Sequence, residues 1–286
     1  MNNHITITSN ETYIMLKKLL PILFLVAASV GVKAAKVDTV LTHSDIMHKD
    51  IKAVVITPQT YKKKTPYPVL YLMHGFSGNY ADWVSKVPSI KQLADVYNMI
   101  IVCPDGGFSS WYMDSPVNKD WMYDTYISSE LVKYIDGHYA TIKDRAGRAI
   151  TGLSMGGHGA LYLAITHQDV YGAAGSMSGG VDLKPFAKDF GISNILGKYE
   201  DNPDSWAKHS IVGMIDQLKP DVLKLTIDCG ASDFFMNANN QLHDLLLKAK
   251  IGHDFTVRPG GHSWEYWGNS VQYQALFFSR FFNKLN

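Results

Sequence analysis

Gly152-Leu153-Ser154-Met155-Gly156 constrains this chain more than any other stretch of it. The spacing G-x-S-x-G is that of a serine seated on a sharp turn from strand to helix, with its hydroxyl facing outward. The flanks suit that geometry. Arg148-Ala149-Ile150-Thr151 reads as a short buried strand, and Gly157-His158-Gly159-Ala160-Leu161-Tyr162-Leu163-Ala164 as a helix lying close on a sheet. Small glycines let the two backbones approach. The free N–H groups of the helix's first turn then point at the serine, which suits negative charge developing on an oxygen.

The rest of the chain supplies the sheet such a turn needs. Pro68 to Met73, Met99 to Cys103, Gly172 to Met177 and Leu223 to Cys229 are short apolar runs without alternation. Helical spacing recurs between them, at Ile90 to Tyr97, around Tyr126 to Ile135, and from Phe235 to Lys250. Asp254 to Arg258 reads as a further strand and Ser263 to Lys284 as a long last helix. Continuous apolar strands separated by helices predict an α/β fold with a mostly parallel central sheet and helices on both faces. Val37 to Ile46 and Ile51 to Thr57 alternate enough to form an antiparallel pair at one edge. Two stretches break the alternation of strand and helix, Phe108 to Asp124 and Gly179 to Pro220. Both follow strand ends, where ligands bind in open α/β sheets, so both are expected to wall the site.

A serine hydroxyl is a poor nucleophile until a base takes its proton, and the base needs a carboxylate to orient it. On a fold with this elbow the chain order is serine, acid, histidine. His262 fits the base. It sits in Pro259-Gly260-Gly261-His262-Ser263-Trp264, between the last strand and the last helix. His209, in the second irregular stretch, is its rival. Asp233, in Cys229-Gly230-Ala231-Ser232-Asp233, fits the acid, and capping the helix near Phe235 is its alternative role. Asp228 competes for the acid position but lies inside a strand. Two backbone N–H groups must converge on the oxyanion. Met155 follows the nucleophile and offers one. Phe76, in His74-Gly75-Phe76 after an earlier strand, offers the other. Trp111, Tyr112 and Trp264 are candidate substrate contacts, because an aromatic face can hold a sugar or an aryl ring.

Four motifs in order, His74-Gly75-Phe76-Ser77-Gly78-Asn79, Gly152 to Gly157, Cys229 to Asp233 and Gly260 to Trp264, make the chain resemble the esterase D family of α/β-hydrolases. That family holds tributyrin-type esterases, S-formylglutathione hydrolase, feruloyl and acetylxylan esterase domains and the antigen 85 mycolyltransferases. The resemblance covers nearly all of residues 35–286. It implies a single catalytic domain of α/β-hydrolase fold, with Ser154, Asp233 and His262 as triad and Phe76 and Met155 as oxyanion donors. The function it implies is a serine carboxylesterase for short acyl or aromatic acyl esters, including acetyl and feruloyl esters of plant polysaccharide. Transfer of the acyl group to a sugar hydroxyl and non-catalytic carbohydrate binding are the alternatives. A glutathione thioester role is disfavoured, since no cysteine lies near Ser154 or on the His74 loop.

Other features bound the partners. Lys17-Lys18, an apolar run from Leu19 to Val32 and the small-x-small site Val32-Lys33-Ala34 read as a signal peptide cleaved after Ala34. Met15 begins a more typical signal than Met1, so residues 1–14 read as an upstream start. Export to the periplasm or medium is therefore expected, with no stable membrane insertion after cleavage. Lys+Arg 27 against Asp+Glu 26, with no basic run beyond Lys62-Lys63-Lys64, excludes a nucleic-acid footprint. No Cys/His spacing resembles a zinc site, and neither metal nor cofactor is required. Cys103 and Cys229 read as two buried free thiols.

Overall fold

The computed structural model describes residues 34–283. The expected signal peptide, residues 1–34, lies outside that range save for its last residue. The strands are β1 (Lys36–Ser44), β2 (Lys49–Thr57), β3 (Val69–Met73), β4 (Ile100–Pro104), β5 (Arg148–Gly152), β6 (Ala173–Met177), β7 (Lys224–Gly230) and β8 (His253–Arg258). They form one sheet in the order β1-β2-β4-β3-β5-β6-β7-β8. β1 and β2 pair antiparallel at one edge, and β2 meets β4 antiparallel. The remaining pairs, from β4 to β8, are parallel.

The helices used below are α1 (Asp82–Lys86), α2 (Ile90–Tyr97), α3 (Val132–His138), α4 (Met155–Thr166), α5 (Ile192–Leu196), α6 (Pro203–His209), α7 (Met236–Lys248) and α8 (Trp264–Phe282). A helical turn at Tyr123–Thr125 and a π-helical stretch at Tyr126–Leu131 lead into α3. The inner strands carry apolar residues at every position because both faces are covered. In β3, Val69, Tyr71 and Met73 enter one core with the side chains of α4. Leu70 and Leu72 enter the other, with Ile90 and Leu93 of α2 and Val271, Ala275 and Phe278 of α8. Asn98 ends α2 in the left-handed region, at φ 50°, which turns the chain straight into β4. Among the described residues no helix is long and apolar enough to cross a membrane.

The parallel strands all run the same way, so β3, β5, β7 and β8 release the His74, Ser154, Asp233 and His262 loops at one end of the sheet. Residues 183–217, irregular by sequence, fold into α5, α6 and short 3₁₀ turns. Cys103 and Cys229 are both buried and unpaired.

Candidate active site

β5 ends at Gly152 and α4 begins at Met155, leaving two residues to reverse the chain. Ser154 takes the strain, with φ 56° and ψ −119°, a conformation uncommon for a residue with a side chain. Hydrogen bonds hold it there. Its N–H donates to the Met177 carbonyl at 2.9 Å, and its carbonyl accepts from His158 N–H at 3.0 Å. The turn also needs Gly156, where a Cβ would lie 2.5 Å from the His74 carbonyl oxygen and 2.7 Å from that of Met73.

His262 reaches this serine from the loop between β8 and α8. Its Nε2 lies 2.9 Å from Ser154 Oγ, and its Nδ1 lies 2.9 Å and 3.1 Å from the two oxygens of Asp233. With Nδ1–H donating to the carboxylate, Nε2 is left to accept the serine proton. Asp233 Oδ1 also accepts Phe235 N–H at 2.9 Å, so the carboxylate orients the histidine and secures the turn before α7 at once. Asp233 and Ser154 are buried, whereas the His262 side chain stays 18% exposed.

Two N–H groups are free beside the serine. Among the described residues, neither Phe76 nor Met155 donates its backbone N–H to an acceptor. The Phe76 loop is braced by Ser77 N–H to the Phe108 carbonyl at 2.7 Å and Gly78 N–H to the Gly75 carbonyl at 3.1 Å. His74 lies under it. Its Nε2 accepts Gly106 N–H at 2.8 Å and its Nδ1 sits 2.8 Å from the Gly75 carbonyl. Burial holds the His74 pKa below the ordinary value, so the ring is a neutral bracket with one donor and one acceptor.

The cleft over Ser154 has a volume of about 460 Å³. Phe76, Phe190 and Phe234 line it with their rings, and Trp264, Trp267 and Lys86 complete it. The Phe190 and Phe234 rings are 6.2 Å apart and 12° from parallel. Phe234 also lies 4.3 Å from the His262 ring. Lys86 is paired with Asp82 at 3.2 Å and sits 4.7 Å over Trp264.

Of the three aromatic contacts expected from sequence, Trp264 lines the cleft. Trp111 and Tyr112 do not. They are 1% and 0% exposed, part of the core beneath the site. The Trp111 indole donates to the Phe190 carbonyl at 3.1 Å, and the Tyr112 hydroxyl donates to the His74 carbonyl at 3.1 Å. Both brace loops of the site through these bonds, and each takes an uncommon positive φ, 52° and 60°. The walls are accordingly narrower in origin than expected, since only Phe190 comes from the two irregular stretches. Phe234 had a signal in the sequence, its place next to Asp233, but nothing there separates an exposed Phe234 from the buried Phe235 behind it.

The rivals lie elsewhere. The His209 ring stacks on Tyr162 at 5.6 Å. Asp228 is buried, bonded to Arg258 and Tyr266. Burial pushes the Cys229 thiol up to about 12, which leaves it an inert packing group.

The family described as "Putative esterase" matches residues 44–277. An acetyl esterase of Caldicellulosiruptor saccharolyticus is 24% identical over 220 residues, 71% of this chain and 79% of that protein. A ferulic acid esterase structure superposes with a TM-score of 0.75 at 30% identity, covering 87% of this chain and 100% of the other. The fluorophosphonate-binding serine hydrolase F of Staphylococcus aureus superposes with a TM-score of 0.78 at 22% identity, covering 86% and 99%. With a family match over most of its length, an eight-stranded, mostly parallel sheet of its own and a fold that superposes on these structures, the chain belongs to this esterase family, serine hydrolases of the α/β-hydrolase fold.

Proposed function

We propose that the protein is an exported carboxylesterase that cleaves short-chain and aromatic acyl esters through an acyl-serine intermediate. The observation that carries this reading is the continuous relay from Ser154 Oγ through His262 to Asp233, with both links at 2.9 Å. In the first half-reaction Ser154 Oγ bonds to the ester carbonyl carbon and its proton passes to His262 Nε2. The carbonyl oxygen becomes an anion facing the Phe76 and Met155 N–H groups. The C–O bond to the alcohol then breaks, and the departing oxygen takes the proton from His262. Water repeats the sequence and frees the acid and the serine. Asp233 stays ionised and steadies the imidazolium.

The acyl preference rests on the cleft. Three phenyl rings beside the nucleophile offer flat apolar faces to an aryl or short alkyl acyl group. Phe234 is 51% exposed, so the cleft is open on that side and buries little of a long chain. Each unburied CH₂ forfeits about 0.8 kcal/mol. The names of the acetyl esterase and ferulic acid esterase relatives point the same way.

A series of p-nitrophenyl esters from acetate to palmitate, run beside methyl hydroxycinnamates, tests the reading. High rates on acetate, butyrate and the cinnamates with a fall toward palmitate are expected. A rate that climbs to palmitate would overturn it. Export rests on the charged start, the apolar run and the small-residue site before Ala35. Mass spectrometry of exported protein should show an amino terminus near Ala35, and finding only the full-length chain in the cytoplasm would refute export.

A further inference from the structure

We propose that Asp228 is a positioning residue whose single carboxylate anchors the loops of both Asp233 and His262 and so sets the reach of the histidine to Ser154. The inference rests on the esterase reading above. Asp228 lies in β7, two residues before Gly230, where the acid loop begins. Its carboxylate accepts a hydrogen bond from the Tyr266 hydroxyl on one oxygen and pairs with Arg258 Nη1 on the other. Arg258 ends β8, and Tyr266 lies in the first turn of α8. The His262 loop is the segment between them. It is therefore pinned at both ends to the carboxylate that precedes the acid loop.

The loops are also joined directly. Ala231 N–H donates to the Arg258 carbonyl at 2.8 Å, and Ser232 N–H to the Gly260 carbonyl at 2.9 Å. Gly260 has φ 136°, and a Cβ there would lie 2.6 Å from Tyr266 Cδ2. The Tyr266 ring is thus the surface over which the histidine loop bends, and its hydroxyl fixes where that surface stands.

Asp228 is 3% exposed in its side chain. A buried ion pair adds little net stability over apolar packing of the same volume, so its effect here is geometric. A displacement of one ångström at a reacting group costs up to about a hundredfold in rate. Arg258 is reachable from outside. It stacks 3.9 Å from the Tyr273 ring centroid and borders a groove of about 530 Å³ between β8 and α8.

Tyr266→Phe deletes one bond to Asp228 and keeps the ring under Gly260. Its kcat should fall about tenfold with KM unchanged, and labelling of Ser154 by a fluorophosphonate should slow in parallel. Arg258→Ala should lose activity similarly and regain it when guanidinium ion is added, since the groove admits the missing group. Wild-type kcat and labelling in Tyr266→Phe would overturn the proposal. So would a folded Arg258→Ala that guanidinium does not restore. A wild-type enzyme that is labelled but inert toward all the esters would sink the substrate reading alone, because the labelling rate still reports the serine's activation.

Discussion

That Ser154, Asp233 and His262 meet could be read from sequence because each sits in a turn whose neighbours have a geometric reason to be there. A glycine beside the nucleophile permits the elbow, and glycines before His262 let a loop carry it across the sheet end. Trp111 and Tyr112 could not be read in the same way. An aromatic residue in an irregular stretch serves a pocket and a core equally well by composition, and only the tertiary packing that buries both decides between them. If the relay works as proposed, Ser154→Ala should lower kcat by at least about a thousandfold with the fold intact. His262→Ala should cost about as much, and the double variant little more. Additive losses in that double-mutant cycle would show that the two do not act together. Phe234 offers a test of acyl selection. Removing an aromatic contact costs roughly 0.5–1.5 kcal/mol, so Phe234→Ala should lower kcat/KM for methyl ferulate by up to about tenfold relative to p-nitrophenyl acetate. An unchanged ratio between the two substrates would remove Phe234 from the acyl pocket.

The strands and long helices were legible because burial on both faces leaves an uninterrupted apolar run, and one buried face leaves a helical repeat. Ile90 to Tyr97 is an example, read from its spacing and found as α2. The order of strands in the sheet has no such local mark, since β4 pairs with both β2 and β3 through contacts far apart in sequence. The short helices between Lys184 and Gln217 were illegible for a related reason. They are held by tertiary packing, with Trp206 1% exposed and its indole bonded to the Gly197 carbonyl at 3.1 Å, and not by a repeat of their own. The junction of β5 with α4 is the reverse case, where local and tertiary demands coincide. Gly156 meets the β3 backbone so closely that Gly156→Ala must push α4 away from the sheet. Overpacking of this kind costs about 1–3 kcal/mol. Urea unfolding should show a lower midpoint with an unchanged slope, and fluorophosphonate labelling should slow because the elbow moves with the helix. Equal midpoints for the two proteins would mean the backbone yields without strain.

Two cores on opposite faces of one sheet leave polar groups deep in the molecule, and two of these make its stability depend on pH. His158, on α4, is fully buried. It lies 2.8 Å from the His209 carbonyl through Nε2 and stacks on Tyr162 at 5.9 Å. Burial pulls its pKa down from 6.5 to about 4. His74, under the Phe76 loop, is lowered for the same reason. Such a histidine stays neutral in the fold, while in the unfolded chain it takes up a proton near pH 6.5. Its contribution is therefore complete above that pH and is lost as pH falls toward the folded value. For His158 the full loss is about 3 kcal/mol, a large part of the 5–15 kcal/mol that holds a typical domain together. His167 opposes this trend. Its bond to Asp124 raises its pKa, so it stabilises on the acid side, but it is about a third exposed and solvent weakens the pair. The net expectation is a melting temperature that is flat from pH 8 to 7 and falls steadily from about 6.5 to 4.5. His158→Gln keeps a donor for the His209 carbonyl and removes the titrating group. It should be less stable than the wild type at pH 7, because the ring stacking is lost, yet its melting temperature should fall less steeply below pH 6.5. If the two proteins lose stability with the same slope, the acid sensitivity of this fold does not originate in His158.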